Sequence, residues 1–97
     1  AMKRFVATVT QYMKPDGRTV QQFTDLPVDL KQAYDDMVAS GCRLEAEVIS
    51  ADGSEVHVSI FDMQLDEDID SDIIPNGPAV QEAIGGMLKR GLWKEAA

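Results

Sequence analysis

Residues 43–61 constrain the fold more tightly than any other part of the chain. Leu44, Ala46 and Val48 alternate with Arg43, Glu45 and Glu47, and Val56, Val58 and Ile60 alternate with His57, Ser59 and Phe61. Period-two alternation on both sides of a Gly-containing turn is the signature of a β-hairpin with one buried face. The turn is "SADGS", residues 50–54. A two-residue Asp52-Gly53 loop would set Val48 against His57 and put the apolar sets on opposite faces. A three-residue Ala51-Asp52-Gly53 loop sets Val48 against Val56. Since a one-residue slip exchanges the two faces of a strand, the buried face selects the second register. Glu47 then faces His57, and Arg43 faces Phe61, on the exposed side.

A second hairpin is expected near the start. Phe5 to Met13 alternates, and "KPDGR" supplies a three-residue Pro15-Asp16-Gly17 loop that pairs Lys14 with Arg18. Continued outward, that register sets Tyr12 against Val20 and Val9 against Phe23. Phe5, Ala7, Val9 and Phe23 become the core face. Val6, Thr8, Thr10, Tyr12, Val20, Gln22 and Thr24 become the outer one.

Two helices follow from apolar spacing. In "LPVDLKQAYDDMVASG", residues Leu30, Ala33, Tyr34, Met37 and Val38 recur at helical intervals. Asp29 with Gln32 forms a capping box, or else Pro27 is the first helical residue. Gly41 ends the helix in a left-handed cap. After "PNGP", Val80, Ala83, Ile84, Met87 and Leu88 give a second apolar stripe, with Pro78 in the first turn and Lys89 and Arg90 at the negative end of the dipole. Gly85-Gly86 inside it costs about 1 kcal/mol per glycine relative to Ala, which implies close backbone packing or a break.

The predicted order is ββαββα, a two-layer α+β sandwich with a mostly antiparallel sheet and both helices on one face. At 97 residues and 44% hydrophobic the chain is one domain with a small core. Ala1 before Met2 reads as a tag remnant, so the domain is taken as residues 2–97. Neither a membrane-spanning run nor a signal-peptide pattern is present, and the lone Cys42 forms no disulfide framework. A cytoplasmic setting follows as the expectation.

Charge is distributed unevenly. The net charge is −8, but residues 44–88 hold eleven acids and no Lys or Arg, whereas the rest holds six acids and nine bases. Direct nucleic-acid or anionic-membrane binding, which needs clustered cations, is therefore disfavoured. "DEDIDSD", residues 66–72, is the densest part, with Ile69, Ile73 and Ile74 in and beside it. It is either a solvated loop or an acid-protected edge strand. Counted from Asp66 or from Asp68, an EF-hand loop lacks its Gly and its final Glu, so no metal ligand is assigned. The sequence carries no P-loop, GxGxxG, GxSxG or HExxH motif.

Cys42 and His57 suggest a thiol–imidazole dyad. However, in the chosen register Cys42 lies roughly 17 Å along the strand from the residue that faces His57. Cys42 also follows a helix C-terminus, which disfavours a thiolate. No catalytic residue or cofactor is assigned.

These features point to a small acidic non-enzymatic interaction module, of a bacterial or phage regulatory kind. It would bind a basic protein surface through Glu45, Glu47, Asp66, Glu67, Asp68, Asp70 and Asp72. Two other classes fit the composition: a nucleic-acid mimic filling a DNA- or RNA-binding groove, and a small enzyme or weak divalent-metal domain. The outer face with Val6, Thr8, Thr10, Tyr12, Val20 and Phe61 is apolar enough to predict either a homodimer or a C-terminal tail, led by Trp93, folded over it.

Overall fold

A computed structural model describes residues 3–9, 12–13, 19–20, 23–91 and 93–94. The strands are β1 (Arg4–Thr8), β2 (Tyr12–Met13), β3 (Thr19–Val20), β4 (Phe23–Pro27), β5 (Cys42–Val48), β6 (Glu55–Asp62) and β7 (Glu67–Pro75). The helices are α1 (Lys31–Ala39), entered through a 3₁₀ turn at Val28–Leu30, and α2 (Pro78–Gly91). The fold is α+β and antiparallel throughout: β1 pairs β4, β2 pairs β3, and β5-β6-β7 form a three-stranded sheet. Both helices sit against the apolar side of that sheet. Met37 of α1 and Ile84, Met87 and Leu88 of α2 share one core with Leu44, Ala46, Val56, Val58 and Ile60.

The second hairpin adopts the expected register. Val48 faces Val56, Glu47 faces His57 and Arg43 faces Phe61. Gly53 has φ +78°, the left-handed conformation the three-residue turn requires. Asp52 Oδ1 accepts from the Ser54 amide at 3.0 Å and its hydroxyl at 2.7 Å.

The first hairpin departs from its predicted register. Tyr12 faces Val20 as expected, but Thr8, not Val9, faces Phe23. Three positions separate Thr8 from Tyr12 but only two separate Val20 from Phe23, so every pair of the outer ladder is displaced by one. Phe23 consequently lies on the outer face, 62% exposed, while Thr24 and Leu26 turn inward beside Ala7 and Phe5. The Lys14–Arg18 pair and its loop, Ala1 and Met2 fall outside the described residues.

The entry to α1 also differs from expectation. Asp29 caps nothing: Pro27 precedes the 3₁₀ turn with no side-chain cap, and Gln32 donates forward to Asp36 at 2.9 Å. Leu30 and Met37 are buried, but Val38 is exposed. Gly41, φ +88°, ends α1 as predicted. Gly85-Gly86 does not break α2. A Cβ on Gly85 would come within 3.3 Å of Leu30 Cδ1, so that glycine admits Leu30 to the helix backbone. A Cβ on Gly86 would meet only the end of Arg90, at 3.4 Å. Trp93 is 3% exposed and joins the core cluster with Cys42, so it does not cover the outer face of the sheet.

Candidate docking surface

The acidic stretch is an added strand, making the order ββαβββα when each half of the first hairpin is counted once. It begins in a turn built by carboxylates. Asp62 Oδ1 accepts from the Gln64 amide at 2.8 Å and the Leu65 amide at 3.1 Å. Asp66 takes φ +58°, a conformation Asp tolerates better than most residues, and its amide donates to the Asp62 carbonyl at 2.8 Å. From Glu67 the chain runs antiparallel to β6. Asp70 pairs with Ile60, but Asp68 pairs with Phe61, so Ile69 is the extra residue of a bulge. The bulge puts Ile69 on the same, helix side as Asp70 beside it, and Ile69 packs against the core.

Cross-strand rows fix where each acid points. On the outer face the rows run Arg43–Phe61–Asp68, Glu45–Ser59–Ser71 and Glu47–His57–Ile73. On the helix side they run Leu44–Ile60–Asp70, Ala46–Val58–Asp72 and Val48–Val56–Ile74. The seven residues assigned to one partner surface are thus divided. Glu45, Glu47 and Asp68 lie on the outer face, Asp70 and Asp72 on the helix side, and Asp66 and Glu67 at the entrance to β7. Only Glu67, Asp68, Asp70 and Asp72 share β7; Glu45 and Glu47 stand on β5, with β6 between.

Several of these charges have local work. Arg90 of α2 donates to both Asp70 oxygens at 3.0–3.3 Å. Arg43 meets Glu45 at 2.8 Å while its guanidinium lies over the Phe61 ring, 4.9 Å from the centroid. Asp72 Oδ1 accepts from the Ile73 amide at 2.9 Å. His57, though opposite Glu47, reaches along the face to within 4.0 Å of Asp68. Among the described residues no base pairs with Glu47, Asp66, Glu67 or Asp72.

At the middle of the outer face, Ser59 is 1% exposed and its hydroxyl has no hydrogen-bond partner among the described residues. Sequence reasoning passed over it, since a serine among outward residues carries no visible signal. Of the face named for self-association, Val6 and Thr8 are exposed and Phe61 is half-buried beneath Arg43. The side chains of Thr10, Tyr12 and Val20 fall outside the described residues.

Cys42 is buried, facing the core, at a cavity of about 290 Å³ whose lining includes Ser40, Asp62, Leu65, Ile69 and Trp93. It faces Asp62, whereas His57 faces Glu47 five positions away on the opposite side of the sheet, so the two cannot form a dyad. No group of three His, Cys, Asp or Glu side chains converges among the described residues. No helix there is long and apolar enough to cross a membrane. Comparisons with family models, with curated proteins and with solved structures return no match.

Proposed function

We propose that this protein is a non-enzymatic docking module whose acidic sheet edge binds a basic surface of a macromolecular partner. The observation that carries the reading is the contrast along β7. Asp70 is answered by Arg90, and on the neighbouring strand Glu45 is answered by Arg43, whereas Asp66, Glu67 and Asp72 stand exposed with no basic partner among the described residues. A solvated surface ordinarily intersperses both signs. One-signed charge held on a strand raises the encounter rate of an oppositely charged partner and costs the fold some self-repulsion. Support for a nucleic-acid mimic is weaker, because Asp70 and Asp72 lie on the helix side and do not continue the outer-face acids. The setting proposed is the cytoplasm, where an unpaired thiol such as Cys42 stays reduced.

The test is to change Asp66, Asp68 and Asp72 to Asn and Glu67 to Gln together. Stability should stay within about 1 kcal/mol of the parent, or rise as repulsion is relieved. The partner, captured from the source cell at low salt and released at high salt, should associate more slowly with the variant. Its association rate should also depend less on salt. Unchanged association rates at two salt concentrations would end the docking reading.

A further inference from the structure

We infer that the free edge of β7 accepts an extended Lys/Arg-rich segment of the partner as a fourth strand. This rests on the docking reading above and specifies how it operates. β7 has β6 on one side and, among the described residues, no strand on the other. It is nine residues long, against a typical strand of about five to six. Its ends are anchored. The Asp62 carboxylate fixes the turn before it, and Asn76 after it donates from its amide to the Ser54 carbonyl at 2.9 Å and from Nδ2 to the Gly53 carbonyl at 3.0 Å. Arg90 holds its middle through Asp70. An edge already ordered in this way pays little entropy when it pairs.

The outward amides can be identified. The Ile73 amide donates to the carboxylate of its own neighbour, Asp72, and so points away from β6. Ser71, two residues back, has the same orientation in an antiparallel ladder. Such a row of backbone groups is the template used in β-strand addition.

The chemistry of the occupant follows from charge. A second copy is opposed, since β7 laid against β7 brings Asp and Glu opposite Asp and Glu. A segment with Lys or Arg at alternate positions instead meets Glu67 and Asp72 with its cations on the helix side, or Asp68 with them on the outer side, all exposed. It also supplies a carbonyl for the Ile73 amide, freeing the Asp72 carboxylate for a cation.

The probe is a ten-residue peptide alternating Lys with Val or Thr, titrated against the full chain. Its twin has the same sequence and charge but is N-methylated at every second amide, on the edge that would face β7. The unmethylated peptide should bind about ten-fold tighter or more, since the twin loses several ladder hydrogen bonds. It should also slow hydrogen exchange at the Ser71 and Ile73 amides. Equal binding of the two peptides with no added protection would overturn strand addition while leaving the charge-based docking reading intact. Binding of neither peptide would overturn both. Undiminished binding to the chain neutralised at Asp66, Glu67, Asp68 and Asp72 would overturn the basic character assigned to the occupant.

Discussion

The β5–β6 hairpin keeps one register along its whole length, whereas the hairpin that holds β1 and β4 shifts by one residue between its two ladders. In β5 and β6 every apolar residue but Phe61 has one parity, so a slip of one residue would expose Val56, Val58 and Ile60 at once. In the first hairpin the returning strand carries Phe23 on one parity and Leu26 on the other. Neither parity is decisive there, and the register of the Tyr12–Val20 pair does not carry through to the β1–β4 ladder. The structure buries Leu26 with Phe5 opposite and leaves Phe23 outside. A turn sets register only as far as the ladder remains regular; beyond that point the buried set decides.

The largest expected effect tests that slip directly. Leu26→Ala should destabilise by about 2–5 kcal/mol, the range for deleting a buried leucine side chain. Phe23→Ala should change stability by no more than about 0.5 kcal/mol, as for an exposed site. Urea melts of both variants decide the matter, because the register extrapolated from the turn predicts the reverse order.

A smaller effect comes from α2, which touches the chain between the two hairpins through Leu30. Gly86→Ala should stabilise by up to about 1 kcal/mol, the difference in helix propensity with nothing rigid in the way. Gly85→Ala should gain less or lose stability, because its methyl would press on Leu30 Cδ1. Equal gains at both positions in thermal melts would show that Leu30 does not rest on the helix backbone.

The smallest effect belongs to the turn that did fix its register. The Ser54 hydroxyl and amide hold the Asp52 carboxyl below its ordinary pKa of 3.8. A depressed folded-state pKa stabilises the fold fully above the ordinary value, and the contribution is lost as pH falls through the lowered one. Asp52→Ala should therefore lower stability at neutral pH and flatten the acid limb of the stability profile below about pH 4. A profile parallel to the parent's would mean the turn gains nothing from that carboxylate.

Much of the fold was legible because it depends on periodicity. Both helices, the Gly41 cap, the β5–β6 register and the outward placing of Glu47 opposite His57 follow from spacing alone. β7 was half legible: its charges suggested an edge, but alternation is broken by the bulge at Ile69, and a bulge leaves no mark in composition. The candidate surface was legible as charge and not as geometry. A list of acids cannot show that Asp70 turns toward Arg90, twenty residues on in sequence, or that Asp62 and Asp66 serve the turn. Val38 fits the helical stripe yet is exposed, since periodicity marks a face and not what packs on it.

Trp93 has a use that its packing makes available. It is the only tryptophan in the chain, it lies 3% exposed against Gly91, and its indole nitrogen has no hydrogen-bond partner among the described residues. Together with Ile69, the bulge residue of β7, it lines the cavity beside Cys42. An indole so placed emits at short wavelength, and the emission shifts to the red once water reaches the ring. The protein therefore carries an intrinsic fluorophore at the root of its acidic edge, one that reports whether β7 is seated without any label on the strand itself.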